Sequence, residues 1–227
     1  MWSQPARLIE HGLVRPSFVP PPRVRRLRDL TRSRTNLVQE RTRELQRLEK
    51  FLEDAGIKLT SVATQTLGVS GRAMIEALIA GERDPQVLAD LACARMRAKI
   101  PALRDALVGR FGDHHAFHCR AAIDRIDGIA ATIDALTERI DEELLPLQPA
   151  VIRLSSIPGI STRQAQVILA AIGTDMARFP TAGHLASWAG MCPGNHESAG
   201  KHYGGATRPA AVRVPRPSRY HRCGGPG

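Results

Sequence analysis

The most concentrated set of reactive side chains in this sequence is the segment Pro193-Gly194-Asn195-His196-Glu197-Ser198-Ala199-Gly200-Lys201-His202. A serine flanked by His196, Glu197, Lys201 and His202 has the parts needed for attack on phosphorus. A neighbouring base can take the hydroxyl proton, and cations can stabilise the charge that develops on a phosphate. Gly194 and Gly200-Lys201 also suggest a phosphate-binding loop. That reading fails, because the spacing is one residue too long, His202 stands where Ser or Thr is needed, and no strand precedes it. A polar surface loop has the same composition, so the residues by themselves leave both roles open for Ser198.

A second candidate is the stretch Ile157-Pro158-Gly159-Ile160-Ser161 leading into an amphipathic run over Thr162–Ile172. It reads as a helix-hairpin-helix element. Free amides at the start of the second helix, around Gly159, Ser161 and Arg163, and the positive end of its dipole suit a phosphate without reading base sequence. An ordinary tight connection between helices has the same pattern. His114 and His118 at i,i+4 offer two metal ligands, but no second pair is evident, and polar turns between helices often hold His. Trp188 follows a small apolar face and reads as core rather than as a platform for bases. The cysteines (93, 119, 192 and 223) lie far apart without a CxxC spacing, which argues against a zinc site or a disulfide framework.

The elements that must position these groups read as helices. From Arg23 to Asp54 there is no Gly or Pro, and Leu27, Leu30, Leu37, Leu45, Leu48 and Leu52 recur near heptad spacing. Glu40–Arg43 and Glu44–Arg47 add opposite charges at i,i+3. Such a helix would run roughly 48 Å, too long for a compact core, so its single apolar stripe needs a partner. Ile126, Ile129, Ile133, Leu136, Ile140, Leu144 and Leu147 supply one on a helix over 120–146 with an acidic outer face. One helix is rich in Arg and the other in acid, so antiparallel pairing is complementary. Between them, a helix opens at Ser70 and closes at Gly81, Asp84-Pro85 is an N-cap followed by Pro at N1, and Pro101 begins another helix. That last helix places Leu103, Ala106, Leu107 and Phe111 on one face. No segment of the first 150 residues reads as a strand. Further on, Ser161 and Gln164 fit a capping box, and a short helix lies near His184–Ala189.

At 227 residues, 43% hydrophobic and 24% charged, the chain can bury a real core, and global disorder is excluded. No apolar run approaches the roughly 18 residues of a membrane-spanning helix, and the start, MWSQPARLIEHGL, has no secretion-type apolar region, so a cytoplasmic location is expected. The net charge of +10 is segregated: +5 over residues 1–54, −1 over 55–199 and +6 over 200–227. Positive ends around a neutral middle point to a polyanion partner, most simply nucleic acid, although an Arg-rich solvated surface has the same balance.

Three stretches join these features into one pattern: RVRRLRDLTRSRTNLVQERTRELQRLEKFLEDAGIKL from Arg23, GVSGRAMIEALIAGERDP from Gly68, and above all IPGIS with TDMARFPTAGHLASWAGMCPGNHESAGK ending at Lys201. Together they resemble the IS110 family of insertion-sequence transposases, the DEDD serine transposases, over roughly residues 7–208. The resemblance implies a mainly α fold: a long coiled-coil helical hairpin over 23–149, then a small helical transposase domain over 150–208 with a helix-hairpin-helix element. It also implies DNA transposition by strand transfer through Ser198, with DNA contacts from Gly159, Ser161, Arg163, Lys201 and Arg208. Intact members are expected to hold Mg2+ on the four acidic residues of a RuvC-like domain, to use a structured guide RNA, and to form homo-oligomers through the coiled coil.

Here residues 1–22 read as the remnant of the end of that RuvC-like domain, and 209–227 as a disordered or out-of-frame tail. The expectation is therefore an incomplete, inactive copy with no metal of its own. The alternative is a non-catalytic helical nucleic-acid-binding or assembly protein.

Overall fold

The computed structural model describes residues 21–189 and the backbone of 197–198 and 201–202. It is mainly helical. In chain order the α-helices are α1 (Pro22–Asp54), α2 (Leu59–Val62), α3 (Val69–Ile79), α4 (Pro85–Asp90), α5 (Ile100–Ala106), α6 (Asp113–Leu144), α7 (Gln148–Ser155), α8 (Thr162–Ile172) and α9 (Ala182–Trp188). Short 3-10 turns cover Ala94–Lys99, Leu145–Leu147 and Met176–Arg178. The chain forms two compact units, residues 33–138 and residues 1–32 with 139–227. Each long helix contributes to both.

The 33–138 unit is built on a closed apolar core. Leu48 and Leu52 from α1, Met74, Ile75 and Leu78 from α3, Leu88, Leu103, and Ile123 from α6 are fully buried together. The local ends of these helices explain how the chain turns back on its core. At the end of α1 the Ile57 amide donates to the Leu52 carbonyl at 2.8 Å and the Gly56 amide to the Glu53 carbonyl at 2.9 Å. This is a Schellman end, and Gly56 takes the left-handed conformation it requires, φ +81°. The Ile57 side chain then lies in the same core as Leu52. The expected N-cap at Asp84 is present, its carboxylate accepting the Gln86 amide at 2.8 Å with Pro85 following.

Two expectations shift. Ser70 does not open α3: Gly68 is the N-cap, and the buried Ser70 hydroxyl accepts the Cys93 amide at 2.8 Å. The second long helix begins at Asp113, so His114, His115 and His118 sit on its first two turns rather than in an inter-helix turn. Within this unit the long helices run antiparallel, with Glu44 facing Arg125 at 3.7 Å and Asp54 facing His115 at 3.2 Å. The apolar seam is graded. Leu48, Leu52, Ile123 and Ile126 are buried, whereas Leu37, Ile129, Ile133 and Leu136 are half-buried. Cys119 is enclosed here, and burial pushes its thiol up to about 11.

The second unit has a smaller core of Leu27, Ile140, Leu144, Val151, Ala165, Leu169 and Ala170. It again joins the two long helices antiparallel, with an Arg23 guanidinium donating to the Glu143 carbonyl at 2.7 Å. Among the described residues, no helix is long and apolar enough to cross a membrane.

Candidate nucleic-acid interface

The connection between α7 and α8 is short and closely specified. The Ser156 amide donates to the Ile152 carbonyl at 3.0 Å, and the Ile160 amide to the Ile157 carbonyl at 3.0 Å. Gly159 between them holds φ +87°, a region that costs a side-chain-bearing residue dearly. The capping box forms in full: the Ser161 hydroxyl accepts the Gln164 amide at 3.3 Å, and the Gln164 side chain accepts the Ser161 amide at 2.8 Å. Those two amides are thus occupied. The amides of Thr162 and Arg163 belong to the set that helix geometry leaves without intrahelical partners.

Arg163 is exposed, but its charge is shared. Its guanidinium lies 3.6 Å from the Asp141 carboxylate and 3.3 Å from the Gln166 side-chain oxygen, while Gln166 donates to Asp141 at 2.7 Å. Asp141 therefore anchors the hairpin to the end of α6 through both residues, and Gln166 is buried in doing so. The sequence pattern gave no sign of this polar anchor, because Gln166 sits on a face that otherwise reads as apolar.

Around the candidate nucleophile the backbone forms a two-residue antiparallel ladder, in a segment whose composition reads as loop. Glu197 pairs with His202 and Ser198 with Lys201. The serine and the lysine expected to act on one phosphate thus occupy opposed positions in a hairpin register. Arg208 lies outside the described residues, as does the expected tail over 209–227.

Elsewhere the histidines pack rather than gather ligands. His118 stacks on Phe51 with ring centres 4.7 Å apart, His114 meets its edge at 4.5 Å, and His115 pairs with Asp54. Among the described residues no three His, Cys, Asp or Glu side chains are grouped to hold a metal ion. Trp188 is half-buried, in edge contact with Phe179 at 5.6 Å.

One grouping was not foreseen: Arg28 of α1 and Arg178 line a common cavity after α8. The spacing of Arg25, Arg28 and Arg32 marks one helix stripe, but nothing in the sequence brings Arg178 to it.

Comparison with known proteins finds partial matches. Residues 152–216 match the family described as Transposase IS116/IS110/IS902 family. The chain is also 45% identical over 65 residues to the insertion element IS110 uncharacterized 43.6 kDa protein of Streptomyces coelicolor. That similarity covers 29% of this chain and 14% of the relative's length. No solved structure matches.

Proposed function

We propose that the chain takes part in DNA transposition as a portion of an insertion-sequence transposase, with Ser198 as the nucleophile of strand transfer. The observation that carries this reading is the family match over 152–216, which contains the Ser198–Lys201 pair. In this reading the Ser198 hydroxyl oxygen attacks a backbone phosphorus and forms a serine–phosphate ester. The strand's sugar hydroxyl departs, and the proton of the serine passes to a neighbouring base such as His196 or His202. Lys201 and Arg208 neutralise the charge on the phosphate as it is transferred. The helix-hairpin-helix at Gly159, Ser161 and Arg163 holds the duplex backbone at the remaining amides of α8. Oligomerisation through a coiled coil of the long helices, and use of a structured guide RNA, complete the proposal for the whole protein.

By the family resemblance the serine step is assisted by the acidic metal site of a RuvC-like domain, and the described residues group no such site. The chain as it stands is therefore expected to bind DNA without nicking or joining it, with or without magnesium. Supplied with a family RuvC-like domain and a family C-terminus, it should form a covalent DNA adduct that Ser198→Ala abolishes. Denaturing gels with end-labelled DNA read both outcomes. Cleavage by the chain alone would refute the metal dependence, and an adduct that survives Ser198→Ala would remove the serine from its role.

A further inference from the structure

The fold gathers arginines where the sequence shows only a stripe. Arg25, Arg28 and Arg32 stand at i, i+3 and i+7 on α1, so they share one face of the helix. Arg28 and Arg178 line a cavity of about 130 Å³ whose walls include Pro21, Val24, Ile172 and Asp175. That is the space of roughly four waters. Arg28 is fixed in place because its guanidinium donates to the carbonyls of Ala170 and Ala171, at 3.2 and 2.9 Å, at the end of α8. These acceptors are neutral carbonyls, which orient the guanidinium. Burial, then repulsion from Arg32 and Arg178, pull its pKa below the ordinary arginine value, with Asp29 offsetting part of the effect. Arg25 and Arg32 are exposed and form no ion pair among the described residues. Arg178 lies over the Phe179 ring at 5.8 Å. The carboxylate in the cavity wall, Asp175, accepts the Ala177 amide at 3.1 Å.

We propose that Arg25, Arg28, Arg32 and Arg178 form a phosphodiester-binding site that seats one backbone phosphate at the cavity and neighbouring phosphates along α1. This rests on the reading of the chain as part of a DNA transposase, and it adds contacts from the first helix that the hairpin and serine loop do not supply. The extent of the cluster selects a strand over a free ion. Arg25 to Arg32 spans about 10 Å of helix axis, more than one phosphate can reach. Arginine suits the task because its planar fork meets phosphate oxygens in pairs. The first turn of α1 has no acidic residue, so arginines crowd the positive end of the dipole.

The test is a salt titration of the full chain binding a duplex DNA and, separately, a stem-loop RNA, read by fluorescence anisotropy. Arg25→Gln with Arg32→Gln is compared with Arg95→Gln with Arg97→Gln, an exposed pair in the other unit with the same change of charge. Circular dichroism confirms that both variants keep the helical fold. The first variant is expected to lower the slope of log affinity against log salt by about 1.8, and to weaken binding about tenfold, well beyond the second. An effect confined to DNA, or to RNA, supports the site and names the strand it holds.

If the two variants weaken binding equally while wild type binds, the site is refuted and the transposase reading stands. If wild type binds neither nucleic acid, both fall. A polyglutamate chain that competes as well as DNA at equal charge would overturn the choice of phosphodiester.

Discussion

The two units share carboxylate-paired arginines and differ in the contacts of Arg28 and in the size of their cores. In the 33–138 unit, guanidiniums meet carboxylates. Arg72 forms a two-pronged pair with Asp127 at 2.7 and 2.6 Å, Arg120 reaches Glu76, and the buried Glu44 lies between Arg47 and Arg125. In the other unit Arg139 likewise meets Glu142 and Glu143, Arg163 meets Asp141 and Arg23 lies 4.0 Å from the Glu143 carboxylate, whereas Arg28 donates to the carbonyls of Ala170 and Ala171. A carboxylate partner cancels charge, whereas a carbonyl partner only aims it. The first arrangement suits a scaffold, and the second fixes the orientation of a single guanidinium, Arg28. The larger and more continuous apolar core belongs to the 33–138 unit.

The contrast can be tested by damaging each unit where it is strongest. Leu52→Ala in the larger core should cost about 2–5 kcal/mol, because the side chain is fully enclosed and its neighbours cannot close the gap. Urea denaturation followed by circular dichroism reads this, and a loss below about 1 kcal/mol would mean that the core is less closely packed than described. Gly159→Ala acts in the other unit and should cost about 1–2 kcal/mol, through the left-handed backbone at that turn. It should also weaken DNA binding if the hairpin is a contact. An unchanged midpoint would show that the turn relaxes freely.

The smallest effect belongs to the charge pairs. The hydrogen bond from Arg72 holds the Asp127 carboxyl below its ordinary value in the folded chain. Its stabilisation is therefore present above the unfolded carboxylate pKa of about 3.9 and lost as pH falls through the lower folded value. Both side chains are well exposed, so the effect is within about 1 kcal/mol. Asp127→Asn should remove that acid-side dependence. Stability curves of variant and wild type that stay parallel below pH 4 would count against the pair. The carbonyl partners of Arg28 do not titrate, so that contact adds no such loss.

Much of the architecture was legible because it is written in local rules. The capping box at Ser161, the Pro after Asp84 and the Gly at the end of α3 each act within a few residues, and each appears where its spacing predicts. The start of α6 was less so. Polar His114 and His115 resemble a turn, but His118 packs on Phe51 and His115 pairs with Asp54, contacts that hold those turns in the helix. The long stripes were legible as faces but not as a graded seam. Thr31 and Arg34 are buried on α1 where a regular repeat would place apolar side chains, and Val38 is half exposed. In the candidate site the pattern singled out Ser198 and Lys201, but not their ladder or the meeting of Arg28 with Arg178. The latter joins residues 150 positions apart, beyond any local rule.

The division of the chain also sets an order in which it can fold. The 33–138 unit is contiguous and its contacts lie within about a hundred residues, whereas the other unit must bring Leu27 to Ile140 across that whole insertion. Closing so long a loop in an open chain forfeits entropy before any contact rewards it. Once the inserted unit has formed, the free length between the two ends collapses and the closure becomes short. Loop closure therefore favours forming the interior of the sequence first, with the basic first turns of α1 reaching α8 after the segment that separates them has stopped behaving as a loop.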